Sequence, residues 1–326
     1  MRNLIFNIIY YLGIGHLLLF LNRVNYKIPI LLYHRVSENT DKYWKPLTPG
    51  EFEMHINFLS KKYRFISLDE LFTKSSNELK RSCAIVFDDA FKDFQTYALP
   101  ILEKYNVPVT MFVPVKNVTD NEIIWTSRLD NSFKCTSKKE LSFTINNKIF
   151  SFPLTDEELK ISTAFTVQKL LIELPDEQRI KHLEIIIDML GHANDTTINI
   201  MSWDDINNSK NHVSYHSHSM THPALSNIDS DTILRYEIND SKSIIESKIK
   251  NEVKYLAYPI GKYNSKVIET TSNYYSAAFA VGNKSVELKK INNKDYKFAI
   301  PRYNIHDANT HEFFLRINGF HNLLGR

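Results

Sequence analysis

The sequence predicts an α/β fold: a parallel sheet of about seven strands, bent into an incomplete or distorted barrel and carrying an α+β insertion. Three observations predict it. Short apolar or β-branched runs recur with helix-patterned stretches between them, the mark of successive βα units. Seven such runs stand at residues 28–33, 83–87, 109–113, 212–215, 254–258, 275–280 and 298–300. The chain has 326 residues, 43% hydrophobic and 24% charged, enough for one large domain or two small ones, and neither repeats nor low-complexity or Gly/Ser linkers divide it. One embellished domain over 25–326 is therefore expected, preceded by a distinct segment, 1–24.

That first segment is apolar from Leu4 to Leu21 apart from Asn7 and His16, with Arg2 before it and Arg23 and Lys27 after it. Its length is close to a bilayer span, and no small-x-small cleavage pattern follows. Three readings stand: a signal anchor, a helix lying in the membrane interface, or a core helix capping the domain. The first two make the protein membrane-associated through residues 4–21, and basic flanks at both ends leave its orientation open.

The helices after the first strand announce their starts. Thr48-Pro49-Gly50-Glu51 and Ser67-Leu68-Asp69-Glu70 are capping boxes, in which side chains satisfy the free N–H groups of the first turn. From 116 to 200 the alternation breaks. Leu141, Phe143 and Ile145, then Asn146-Asn147, then Ile149 and Phe152 spell a hairpin, followed by helical stretches from Asp156 and Asp176. Leu234, Ile238, Ile245 and Ile249 form the apolar stripe of a long helix beyond it. Cys83 and Cys135, far apart in different contexts, read as free thiols.

The chemistry is concentrated at strand ends. Ala84-Ile85-Val86-Phe87-Asp88-Asp89 finishes a buried run in two carboxylates, which costs several kcal/mol unless a cation or shared proton compensates. His218 and His222, at i and i+4, can aim two imidazoles at one point, and imidazole with carboxylate suits a zinc-like ion. Neighbouring residues of a strand face opposite ways, so one aspartate joins the ligand set and the other remains free as a base. Three protein ligands with an open position describe a catalytic site. Asp-Asp alone also reads as a cap or turn, and HxxxH alone as a solvated helix face; their joint occurrence at strand ends favours chemistry. A net charge of only +3 without a Lys/Arg block gives no footprint for nucleic acid.

Phe87-Asp88-Asp89, His218-Ser219-Met220-Thr221-His222-Pro223 and Ala257-Tyr258-Pro259-Ile260-Gly261 resemble, in order, the motifs of the polysaccharide deacetylase family, the NodB-homology domain of carbohydrate esterase family four. Leu31-Leu32-Tyr33-His34-Arg35-Val36, Ile124-Trp125 to Arg128-Leu129 and Ser202-Trp203-Asp204 extend the resemblance over most of the chain. It implies a deformed (β/α) barrel that hydrolyses N-acetyl groups of amino sugars in a polysaccharide or glycolipid.

By the same resemblance Asp88 is the base, Asp89, His218 and His222 hold one divalent metal ion, and the backbone N–H of Ile260 faces the oxyanion. Zinc best suits the ligands; cobalt, nickel and manganese suit them too. Ala90 departs from the usual glycine after the aspartates. Ala257 stands where many members carry a base-orienting arginine, and Arg302 is the candidate replacement. The usual late Leu-x-His acid is missing; His306 is the nearest candidate, and His34 is another that can face the site. Trp203 and Tyr258 are candidates to stack on a sugar ring. His216 is expected to face away. Two alternatives keep the fold: an O-acetyl esterase or other amidohydrolase on the same metal, and a glycan-binding relative without activity.

Overall fold

The computed structural model describes residues 2–191, 198–306 and 309–323. Seven strands run in parallel: β1 (Ile30–Tyr33), β2 (Ser82–Phe87), β3 (Val109–Val113), β4 (Val213–Ser217), β5 (Tyr255–Ala257), β6 (Ala277–Val281) and β7 (Ile300–Asn304). Each pairs with the next in the chain, and β7 returns to β1 through Tyr303 opposite Leu31 and Asn304 opposite Leu32. The barrel is thus closed. Its distortion lies at β4–β5, where Ser217 opposite Leu256 is the single registered pair.

Alternate strand residues divide the apolar mass in two. Ile30, Leu32, Ala84, Val86, Phe112, Tyr255, Ala257, Ala277, Phe279 and Ile300 share one buried cluster that fills the barrel. Leu31, Tyr33, Ile85, Phe87, Met111 and Val113 belong to the other, under the surrounding helices. Small residues at 84, 257 and 277 leave room for the rings of Phe112, Tyr255 and Phe279, each stabilising the fold by about 1.5–3 kcal/mol on burial.

Of the seven expected runs only 109–113 keeps both its bounds, and three of the shifts have a local cause. The first run splits at Pro29, which lacks a ladder donor, so Lys27–Ile28 pairs instead with Val286–Glu287. The fourth continues through His216 to Ser217, and the last runs Ile300–Asn304 rather than ending at Ile300. In the last, Arg302 and Asn304 hide the strand pattern because they face a polar site, and in the fourth His216 and Ser217 hide it although both are buried, the first against Phe112 and Tyr255 and the second bonded to Ser241 Oγ. Both capping boxes form, at Thr48/Glu51 and Ser67/Glu70.

The N-terminal segment is a pair of helices, α1 (Arg2–Tyr11) and α2 (Ile14–Val24), broken at Gly13, whose φ of 80° favours glycine. Its inner side packs against a late helix, Thr310–Ile317; a Cβ on Gly15 would lie 2.8 Å from the ring of Phe314. Its outer side bares Ile5, Ile8, Tyr11, Leu12, Leu17, Phe20, Leu21 and Val24. Among the described residues no single helix is long and apolar enough to cross a membrane, though the bent pair together reaches that length and composition.

The insertion forms a body on the carboxyl side of the barrel. It comprises α3 (Trp125–Cys135), the hairpin Glu140–Ile145/Lys148–Pro153, α4 (Glu157–Ile172) and α5 (Asp176–Leu190). Asn146 and Asn147 turn the hairpin with φ of 49° and 62°, as a two-residue type I′ loop requires. Asp156 caps α4 through Leu159 N–H. Leu129, Phe133, Phe143, Val167 and Ile187 make a core of its own. Cys83 is buried and Cys135 exposed, both free.

Candidate active site

The carboxyl ends of β2, β4, β5 and β7 meet over the barrel mouth. Strand β2 stops at Phe87, Asp88 continues the chain, and Asp89 and Ala90 turn sharply with φ of 72° and 52°. That turn overrides strand alternation: both carboxylates reach one site instead of opposite faces. Of thirteen non-glycine residues with positive φ among those described, Asp89, Ala90, Ser219, His222 and Ile260 all lie here. Such conformations cost on the order of 1–3 kcal/mol each and survive only where surrounding contacts enforce them.

The contacts doing so around the histidine loop centre on Glu237. Its buried carboxylate accepts Met220 N–H and Thr221 N–H, each at 2.9 Å, and the Thr221 hydroxyl at 2.6 Å. Burial pushes the Glu237 carboxyl up, opposed by the bonds from Thr221 and Met220. His222 N–H donates to Ser219 Oγ at 3.1 Å, and Trp125 Nε1–H from the insertion donates to the His222 carbonyl at 3.0 Å. The sequence reading missed Glu237. Its signal was position: three residues after Leu234 and one before Ile238, it puts a charge into an apolar stripe.

Asp88 is held by a two-pronged ion pair. Arg302 Nη1 donates to Oδ1 at 2.7 Å and Nη2 to Oδ2 at 2.9 Å, with both residues buried and the guanidinium over the Phe112 ring at 5.3 Å. A fork of this kind fixes the carboxylate plane as well as its charge. Arg302 thus lies against Asp88 from the last strand, as its sequence candidacy requires.

Asp89, His218 and His222 form a separate group whose nearest ligand atoms all lie within 4.8 Å of one another. Asp89 Oδ1 is 3.4 Å from His218 Nε2 and 3.3 Å from His222 Nε2, and it is buried without a hydrogen-bond partner among the described residues. His218 Nδ1 lies 2.8 Å from the Ala257 carbonyl, which can only accept, so Nδ1 carries the proton and Nε2 presents its lone pair to the carboxylates. Burial pushes His218 down to about 4, against the pull of Asp88, which keeps that lone pair bare. Burial also opposes ionisation of Asp89, but His222, His34 and His218 outweigh it and hold its carboxyl below the usual range. The bare lone pair of His218 and the second imidazole of His222 against one buried carboxylate fit a divalent cation, and one carboxylate with two imidazoles is a zinc-like donor set.

A cavity of about 390 Å³ opens above, lined among others by His34, Trp44, Asp88, Asp89, His218, His222, Tyr258 and Ile260. Ile260 reaches it from a turn with φ 60°, an unusual conformation for a β-branched residue. His34 packs edge-on to Trp44 at 5.2 Å, and burial lowers its basicity. Tyr258 spends its hydroxyl on the Phe298 carbonyl at 2.9 Å and stacks on Tyr263. The structure does not bring every candidate together. Trp203 is not among the lining residues; its Nε1–H donates to Thr119 Oγ1 at 3.2 Å. His306 lines an adjoining cavity with His34, Trp44 and Asn304. His216 shares the inward face of His218, since residues two apart on a strand return to the same side, but lies one layer lower between Phe112 and Tyr255.

Comparison with known proteins bears on this arrangement. The profile of the family described as polysaccharide deacetylase matches residues 75–144 and 185–278. A protein of Bacillus subtilis strain 168, YxkH, named provisionally as a polysaccharide deacetylase, is 29% identical over 96 residues, 28% of this chain and 33% of its own length. The match therefore spans about a third of that relative. The deacetylase PplD of Streptococcus pyogenes, solved with acetate, has a similar fold at 17% identity and a TM-score of 0.59, covering 89% of this chain and 97% of its own. A de-N-acetylase from Aggregatibacter actinomycetemcomitans superposes with a TM-score of 0.52 at 17% identity, over 89% of this chain and 100% of that one.

Proposed function

This chain belongs to the polysaccharide deacetylase family, and from that premise we propose that it is a metal-dependent hydrolase removing N-acetyl groups from amino sugars of a polysaccharide or glycolipid. One observation carries the reading: Arg302 takes both oxygens of Asp88, at 2.7 and 2.9 Å, while Asp89 Oδ1 lies 3.4 and 3.3 Å from the two imidazoles, and Asp88 Oδ2 borders the same group at 3.6 Å from His218 Nε2, which suits a base beside a ligand set in one cavity. The similarity to a deacetylase solved with acetate and to a de-N-acetylase supports the acyl group and the amide.

A divalent ion held by Asp89, His218 and His222, zinc by the donor set, would supply Lewis acidity to the attacked carbonyl and to the attacking water. Arg302 holds the Asp88 carboxyl group aimed through its two-pronged contact, and Asp88 takes the proton of the water as its oxygen adds to the acetyl carbon. The Ile260 N–H is the donor assigned here to the oxygen that gains charge, carried on a turn at φ 60° beside the cavity. Collapse breaks the C–N bond, and the departing nitrogen needs a proton. His34 lines the catalytic cavity whereas His306 lines only the adjoining one, so of the two His34 is the better sited to pass the proton taken by Asp88 on to the nitrogen.

The outer face of α1 and α2 supports a location at a membrane surface, with Ile5, Leu12, Leu17 and Phe20 directed outward and Arg23 and Lys27 at the segment's end. Recovery of all full-length protein in a detergent-free soluble fraction would refute that location.

The test of the activity is metal content together with acetate release from N-acetylhexosamine oligomers and glycolipids, for wild type, Asp88→Asn and His218→Ala. Metal-dependent acetate release accompanied by equal free amine establishes the reading. Acetate without amine indicates an O-acetyl esterase, and metal without acetate from any substrate indicates a glycan-binding relative.

A further inference from the structure

The catalytic cavity does not end at the catalytic group. A second cavity of about 360 Å³ shares Tyr43, Asp130, Phe165 and Gln168 with it and runs outward along α4, adding Glu158 and Ser162 among others. Each volume lies in the range of small-molecule sites, roughly 300–1,000 Å³. One wall comes from the loop after β1, through Tyr43, and the other from the insertion, through Asp130 on α3 and Phe165 on α4. The extension exists because the insertion does.

Resting on the deacetylase reading, we infer that this extension is a second sugar subsite, in which Asp130 binds the free ammonium of an already deacetylated unit next to the one being processed. Two polar groups of the shared wall lack protein partners. Among the described residues only burial and the Asp41 charge act on Asp130, with no donor or cation against it, and the Tyr43 hydroxyl is buried with no hydrogen-bond partner. Tyr43 and Phe165 supply the apolar ring faces that sugars pack against.

The local charge favours a cation over a neutral hydroxyl. Glu158 lines the same cavity, while Lys42 is already paired with Glu157. Arg35 is engaged by Asp93 at 2.8 Å and by Asp41 at 3.8 Å. Burial, with Asp41 adding to it, pushes the Asp130 carboxyl up to about 7, and a bound ammonium would relieve that penalty. An acetylated unit offers only a neutral acetamide there. A chain would consequently be processed preferentially beside an existing free amine.

The test is binding by calorimetry to the full chain carrying Asp88→Asn, which suppresses turnover. The probes are N-acetylglucosamine trisaccharides, fully acetylated or with one free amine at a defined end. The amine-bearing trisaccharide should bind about tenfold tighter, the range of one charge-assisted contact, and adding Asp130→Asn should bring the ratio to about one. Phe165→Ala should weaken both ligands and keep the ratio. No preference for the amine, or a preference that survives Asp130→Asn, overturns the inference. Since the ratio needs no turnover, a wild type that releases acetate without the preference refutes this subsite alone. A preference without acetate release from any substrate refutes the deacetylase reading and leaves an amine site.

Discussion

His216 on β4 and His218, one residue past its end, lie two apart and are both buried, yet they belong to different layers of the barrel. In the lower layer His216 meets Ser214 Oγ at 3.2 Å with one nitrogen and Lys254 N–H at 3.3 Å with the other, between the rings of Phe112 and Tyr255. In the upper layer His218 uses Nδ1 on a carbonyl and leaves Nε2 facing Asp89. The lower histidine is complete as a core residue. The upper one is complete only with something between it and the carboxylates. A buried polar atom without a partner costs about 1–3 kcal/mol, so a fold retains such atoms where a ligand or a reaction uses them.

The largest test of that contrast removes the proposed base while keeping the proposed ligands. Asp88→Asn should reduce acetate release by about 10²–10⁴, the usual worth of a positioned general base, with metal content unchanged. A variant that loses its metal as well would mean Asp88 belongs to the ligand group, erasing the separation on which the proposed mechanism stands. Arg302→Ala leaves the same carboxylate buried and unpaired. It should cost about 3–5 kcal/mol in denaturant unfolding and most of the turnover; full turnover would remove Arg302 from the mechanism.

The two histidines can then be set against each other. If the upper layer holds a metal, excess zinc should raise the unfolding free energy of wild type, by about 2.7 kcal/mol at a hundredfold excess over the dissociation constant. His218→Ala should abolish that increment and His216→Phe should preserve it, as read by thermal unfolding with and without a chelator. Equal loss in both would show that the layers are coupled and that the contrast between them is false.

How much of this was legible in the sequence follows from the same contrast. The lower layer and the helices under it were readable, because apolar periodicity is a local signal: Leu234, Ile238, Ile245 and Ile249 are all buried as their spacing requires, and Asn146-Asn147 turns its hairpin. The upper layer was readable only where residue type names the chemistry, as for Asp88, Asp89, His218 and His222. Strand β7 appeared to end at Ile300 because Arg302 and Asn304 are polar, yet Arg302 belongs to the strand because its partner, Asp88, is 214 residues away. Glu237, Tyr43 and Asp130 were missed for the same reason: their significance lies in what the fold brings opposite them. The break at Gly13 was likewise invisible to a hydropathy reading, which saw one segment where there are two helices.

The smallest expected effect concerns strain. Ala90 holds φ at 52° in the turn that brings both aspartates to the site, and it is fully buried. Glycine adopts that conformation freely but gives the unfolded chain more freedom, opposing contributions of about 1 kcal/mol or less each. Ala90→Gly should therefore change stability by under about 1 kcal/mol in either direction, and its informative readout is turnover. If the strained turn is what aims Asp88 and Asp89, relaxing it loosens both carboxylates together, and kcat should fall by severalfold at unchanged metal content. An unchanged kcat would mean that Arg302 and the histidines hold the carboxylates without the turn, making the strain a cost of closing the loop rather than a part of the site.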